Sequence, residues 1–237
     1  MNDDLTWMSY RSDDRMVMFD ARFETQRPPG MDHLYLIEAP MTSAGTYGYG
    51  DEAEVARFEP LEDALNGAAE EADMASVGRR RGFGTWELAW YGPEGQGRVF
   101  AKPLRAAPAA RLSERADPDW DHYRSKLLPR GKDRHRAHNG LVVWRLLQAG
   151  DALDAARPIE FFIYFHRDID RERYLRDIGS TGLDAEAIDG DRPGIRAHFT
   201  AGVDVELITD ITWELHERAL AGNGEFDGWG CSPVLST

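Results

Sequence analysis

Pro158-Ile159-Glu160-Phe161-Phe162-Ile163-Tyr164-Phe165-His166 is the stretch on which the fold of the second half of this chain turns. Phe161 to Phe165 is a short, unbroken apolar run, and a run of that length between polar residues reads as a buried strand. Working outward, Asp170 to Ile178 has Tyr174, Leu175 and Ile178 on one helical face, with Arg171, Arg173 and Arg176 on the other. Two strand-like segments follow, Leu183 to Ile188 and Ile195 to Thr200, around the Asp189-Gly190-Asp191 turn. Val203 to Leu220 places Val205, Ile208, Ile211, Leu215 and Ala219 at helical spacing. Asn223-Gly224 stops that helix, and Phe226 to Val234 supplies a last strand. The order is β-α-β-β-α-β, the ferredoxin-like plan.

The first half also mixes strands with helices. Leu5 to Tyr10, Arg15 to Phe23 and His33 to Ala39 read as strands, broken at Arg27-Pro28-Pro29-Gly30. Asp51 is a candidate N-cap for a helix running to about Asp73, with Pro60 expected to kink it. Met74 to Arg81 and Thr85 to Tyr91 form a predicted hairpin around Gly82-Phe83-Gly84, with Trp86, Leu88 and Trp90 on one sheet face. Val99 to Arg115 is predicted helical despite Pro103 and Pro108. Asp117-Pro118 marks another helix start, with Trp120, Tyr123 and Leu127 sharing a face and Pro129 closing it. Arg130 to His138 is basic and reads as a link between domains; Leu141 to Ala149 is a short helix closed by Gly150. The expectation is an α+β protein of two antiparallel-sheet domains, residues 1–138 and 139–237, the second ferredoxin-like.

Composition narrows the functional classes. At 42% hydrophobic residues the chain can bury a core, so it is not a disordered segment. No apolar run reaches the length of a membrane span, and Met1-Asn2-Asp3-Asp4 lacks the order of a signal peptide. The single cysteine, Cys231, excludes an internal disulfide and a thiolate zinc cluster, which fits a reducing cytoplasm. A formal net charge of −14 opposes direct contact with nucleic-acid phosphates and suits a partner with a basic surface. Solubility alone also accounts for such a charge.

The closing residues carry a resemblance. Leu146-Leu147-Gln148-Ala149-Gly150-Asp151, the Phe161–Phe165 strand, Gly182-Leu183, and Gly224-Glu225-Phe226-Asp227-Gly228-Trp229 stand in that order. Together they resemble the family of regulators of ribonuclease E activity, type B, whose members close with Gly-x-Tyr-Asp-Gly-Trp. Phenylalanine stands here at the tyrosine position. The resemblance covers about residues 139 to 237. It implies a ferredoxin-like fold and inhibition of an endoribonuclease through direct protein contact, with no catalytic residues and no cofactor. The first half resembles a bacterial domain of unknown function that often precedes that module, through Trp7-x-x-Tyr10, Phe58-x-x-Leu61-Glu62, Val77-Gly78, and Asp119-Trp120-x-x-Tyr123 with Pro129.

Two sets of residues are candidate contact sites. Phe226, Asp227, Gly228 and Trp229 could present aromatic area from a rigid turn; alternatively Asp227 caps the turn, Gly228 takes a positive φ and Trp229 seals the core. Arg79, Arg80 and Arg81 could hold phosphate or an acidic partner, although no phosphate-loop order surrounds them, and a hairpin with outward arginines is the favoured reading. His135 and His138 invite a metal reading that the neighbouring Arg130, Lys132, Arg134 and Arg136 oppose. His122 and His166 read as partly buried polar residues, and Cys231 as a small buried hydrophobe. Asp189, Asp191 and Glu186 lack the twelve-residue calcium pattern. The expected function is a non-catalytic regulator docking on a protein partner, with a ribonuclease as the implied target. An enzyme or small-ligand protein with a pocket between the domains remains open, as does a homodimer built on a free sheet edge.

Overall fold

Strand β5, Thr85–Gly92, is buried along nearly its whole length, on both faces. This computed structural model describes residues 6–12 and 15–235; Leu5 and the N-terminal Met1-Asn2-Asp3-Asp4 lie outside them. Two compact units divide the chain between Arg134 and His135. Both are α+β.

In the first unit β5 pairs with β4, Ala75–Gly82, through the two-residue turn Phe83-Gly84, whose φ values are 52° and 71°. Positive φ at both positions is what a tight hairpin needs to match strand twist. With β1 (Trp7–Ser12), β2 (Arg15–Asp20), β3 (His33–Pro40) and β6 (Arg111–Ala116) the strands form one antiparallel sheet in the order β1-β2-β4-β5-β3-β6. Helix α1, Glu52–Glu70, covers one face. Its cap is Asp51, whose carboxylate accepts the Glu54 amide at 2.9 Å. Phe58 stacks on Trp86 with ring centroids 4.5 Å apart, and Trp90 lies 4.9 Å from Phe100. Burial of two indoles here stabilises the unit by several kcal/mol, on the order of 2–3 for each ring.

The opposite face is closed by residues 117–128. Tyr91 stacks on Trp120 at 4.0 Å and 7°. Asp117 accepts the Tyr91 hydroxyl at 2.5 Å and the amides of Asp121 and His122 at 2.9 and 3.0 Å. Burial pushes the Tyr91 hydroxyl well above its ordinary range, and the Asp117 carboxylate adds to this. Trp120 has φ 58°, so the helical segment opens only at Asp121, and it continues as a π-helical turn over Tyr123–Leu127. Leu127 packs over Gly78, where a Cβ would lie 2.5 Å from the Met18 carbonyl and 3.1 Å from Leu127 Cδ1. Gly78 has φ 155° at a bulge between Ser76 and Gly78, so this site requires glycine.

Three expectations for this half are corrected. The predicted strand Arg15–Phe23 ends at Asp20, whose carboxylate caps a 3-10 turn, Ala21–Glu24, by accepting the Arg22 amide at 3.0 Å. The predicted helix Val99–Arg115 is instead two 3-10 turns, Gly97–Ala101 and Pro103–Ala106, followed by edge strand β6. Pro103 and Pro108 lack the amide a helix interior needs, while β6 gains a ladder with β3 from His33↔Ala116 to Glu38↔Arg111. The predicted basic link Arg130–His138 is helical from Lys132, in α2, Lys132–Gln148. Its Arg, Lys, Ala and His residues carry no helix breaker after Gly131.

The second unit has β7 (Arg157–Phe165), α3 (Asp168–Ile178), β8 (Asp184–Ile188), β9 (Gly194–Ala201), α4 (Val205–Ala221) and β10 (Gly224–Cys231). The sheet order β10-β7-β9-β8 puts the four strands in ferredoxin-like sequence, and every neighbouring pair is antiparallel. Strand β7 alternates: Ile159, Phe161, Ile163 and Phe165 are buried, while Phe162 and Tyr164 are only half-buried. The apolar run therefore faces a core on one side only, as an antiparallel sheet allows. Tyr174 on α3 donates its hydroxyl to the Leu215 carbonyl of α4 at 3.1 Å. Near the ends of this unit Asp151 accepts from Arg157 at 2.5 Å and from the Val234 amide at 2.8 Å, while the Ala152 amide donates to the Val234 carbonyl at 2.7 Å. No helix among the described residues is long and apolar enough to cross a membrane.

Candidate functional site

Strand β10 lies at an edge of the second sheet, and its register with β7 shifts between Phe226 and Gly228. Phe226 stands opposite Ile163, and Trp229 opposite Phe161. Residues three apart on a regular strand point to opposite faces. Asp227 is the extra residue of a bulge, so both aromatic rings turn to the helix-covered side with Ile163 and Phe161. Asp227 itself is exposed, and Gly228 takes φ 153°.

Asn139 on α2 anchors the strand. Its Oδ1 accepts the Trp229 indole N–H at 2.8 Å, and its Nδ2 donates to the hydroxyls of Thr209 and Thr212 on α4 at 3.1 and 3.0 Å. An indole nitrogen can only donate, which fixes the amide orientation. Asn139 and both threonines are buried. Trp229 is thus held structurally and half-buried. Beside it, His135 lies with its ring 5.4 Å from Trp213, 5.0 Å from His216 and 6.0 Å from Phe226. These four rings form a half-buried aromatic and imidazole patch. The sequence reading did not single out Trp213, His216 or Asn139. The signal was there: Trp213 and His216 are three apart on α4, and His135 and Asn139 four apart on α2, which puts each pair on one helix face.

The arginine triplet belongs to the first unit and does not face outward. Arg79 and Arg81 lie on the α1 side, where Arg79 pairs with Glu62 and both guanidiniums lie near the Trp86 ring, at 5.7 and 5.3 Å. Arg80 points to the other face and grips Glu87 through two bonds of 2.6 and 2.8 Å. Burial pulls the Arg81 guanidinium down, with Arg79 adding to the effect. Glu87 is pushed up by burial, but the neighbouring His122 ring and the two hydrogen bonds from Arg80 prevail and hold it at about 2. Strand alternation thus splits the triplet between two sheet faces.

The remaining candidates resolve as follows. His122 is buried, with Nε2 3.4 Å from Glu87 Oε1; His166 is exposed rather than partly buried, because it follows the last paired residue of β7. His138 is exposed, and no group of three or more metal-ligating side chains occurs among the described residues. Glu186 pairs with Arg196, and Asp189 with Arg171 at 2.9 Å. Cys231 is half-buried, and burial pushes its thiol up, away from the thiolate a nucleophile needs. A groove of about 610 Å3 lies between α1 and the 3-10 turns, lined by Phe58, Leu61, Ala64, Val99 and Pro103 among others.

Residues 136–231 match the family model described as Regulator of ribonuclease activity B. The resemblance expected of the second half from its closing residues is borne out by this match. Two solved structures are similar in part. One is titled "Crystal Structure of an Unknown Protein from Galdieria sulphuraria", 11% identical, with TM-score 0.22 and coverage of 86% of this chain and 99% of that one. The other is titled "Crystal structure of putative glycine cleavage system transcriptional repressor", 7% identical, with TM-score 0.25 and coverage of 86% and 98%. Scores this low carry no argument. No curated protein matches the chain.

Proposed function

We propose that the second unit is a protein-docking module that modulates an endoribonuclease of the E type by direct contact. The family match over residues 136–231 supports a ribonuclease as the class of target. The observation that carries the docking reading is the bulged edge of β10. It presents the exposed Asp227 carboxylate beside the half-buried Phe226, Trp213 and His135 rings. Aromatic rings held rigid by their neighbours contribute contact area at little entropic cost, and a carboxylate steers a basic partner. A side-chain surface suits this edge better than strand addition, because a bulge interrupts the ladder that an added strand would need.

The test uses the full chain with a purified E-type endoribonuclease and a single-stranded RNA substrate. Association and a slower cleavage rate are expected. Asp227→Lys reverses an exposed charge and should weaken association by about tenfold or more without moving the melting temperature. A complete lack of association, or cleavage unchanged at saturating chain, would overturn the proposal.

A further inference from the structure

The helices of the second unit lend their buried residues to one face of its sheet, the side of Ile159, Phe161, Ile163 and Ile195. Strand alternation sends Glu160, Phe162 and Tyr164 of β7 to the other side, with their register partners on β9 and β8. All residues of these four strands are described. With His198 neutral, the outward side chains Glu160, Asp184, Glu186 and Glu225 exceed Arg192 and Arg196 by two negative charges. The two rings on this face differ. Over Tyr164 the Arg192 guanidinium lies at 4.7 Å, held by Glu225 at 2.9 Å. No arginine or lysine among the described residues lies over Phe162. Arg196, opposite Phe162 in register, turns instead to Glu186 and to Glu160, the latter at 3.2 Å. On its other flank Phe162 faces Gly228, and a Cβ built there or at Gly230 meets nothing within 4 Å. The ring is therefore open toward β10.

We infer that this face docks an arginine-bearing polypeptide segment, with one guanidinium stacked on Phe162 and bonded to Glu160. The chain itself holds a guanidinium in this way two residues along the same strand, between Tyr164 and Glu225. Glu160 accepts from Arg196 through Oε1, which leaves Oε2 for an incoming donor. A guanidinium is planar, stacks on a ring and bonds a carboxylate in fork geometry, which an ammonium does not match. An aromatic ring on an open sheet also suits a stacked RNA base. Here the surplus negative charge repels phosphates, and both arginines of the face are already paired. The rings around Phe226 lie on the helix-covered side, so this surface goes beyond the docking edge proposed above.

The experiment titrates the full chain, without any endoribonuclease, into fluorescent peptides of alternating arginine and glycine, of lysine and glycine, and of glutamate and glycine, and into a single-stranded RNA oligomer, reading anisotropy. The arginine peptide should bind, the lysine peptide more weakly, and the glutamate peptide and RNA not at all. Phe162→Leu keeps an apolar side chain while removing the ring, and should weaken arginine-peptide binding by about tenfold. Glu160→Gln, which leaves Arg196 its pair with Glu186, should weaken it severalfold and flatten its salt dependence. Glu59→Gln removes the same charge from an exposed site of the first unit and should change nothing. No binding of the arginine peptide would overturn the inference, as would full binding by folded Phe162→Leu. An equal loss from Glu59→Gln and Glu160→Gln would assign the attraction to overall charge and refute it too. Binding of RNA without binding of the peptide would give the face to a different ligand and refute it equally.

Discussion

Asn139→Leu tests whether the second unit is tied together by one amide. Asn139 is buried and makes three hydrogen bonds, to Trp229, Thr209 and Thr212. Leucine is close to asparagine in shape and makes none. The threonine hydroxyls lose little: each gives up a donor to one lone pair, and Thr212 keeps its own bond to the Thr209 carbonyl at 3.3 Å. The Trp229 indole fares worse, because it can only donate and loses its one acceptor. Leaving a buried donor unsatisfied costs about 1–3 kcal/mol, and water reaching the half-buried ring places this case in the lower half of that range. With a few tenths for each threonine, the expected loss is about 2 kcal/mol. Urea unfolding gives the free energy, and amide hydrogen exchange localises it. The β10 amides paired with β7 should exchange faster, while those of the first-unit sheet stay unchanged. A loss below about 0.5 kcal/mol with unaltered β10 exchange would refute the anchoring role.

Two further outcomes follow from the first unit. Gly78→Ala forces a Cβ to within 2.5 Å of the Met18 carbonyl at φ 155°, and should cost more than about 2 kcal/mol in urea unfolding; a near-neutral effect would mean the bulge relaxes freely. Glu87 is held at about 2 against an ordinary 4.5. A carboxyl depressed on folding contributes stability that is complete above its unfolded pKa and is lost as pH falls toward its folded one. The window is therefore pH 4.5 down to 2, and the loss is on the order of 3 kcal/mol. Glu87→Gln should flatten the acid limb of a stability profile; an unchanged slope would assign acid sensitivity to other groups.

The sequence revealed whatever depends on local pattern. The β-α-β-β-α-β order was legible because Phe161–Phe165, the Tyr174 and Ile178 face and the Ile208, Leu215 and Ala219 face are all periodic. The hairpin at Phe83-Gly84 and the Asp51 cap were legible for the same reason. Long-range pairing was not. Arg111–Ala116 looks helical in isolation and becomes a strand because β3 offers it a free edge. The Phe226 and Trp229 rings share a face only through a bulge, and a bulge is visible only against the partner strand. The arginine triplet looked like one cluster on paper, but the pleat sends Arg80 away from Arg79 and Arg81.

The bond set around Asp151 has a consequence for how the second unit can be used. Asp151, just before β7, and Val234, just after β10, are clasped to one another, so the polypeptide enters and leaves the sheet-forming segment at one point. A segment whose two ends meet can be spliced into a surface loop of a host protein, or re-cut elsewhere and rejoined across that seam, without stretching its interior. Helix α2 precedes that seam, so a transplanted segment would have to carry α2 with it to keep the Asn139 bonds to Trp229, Thr209 and Thr212.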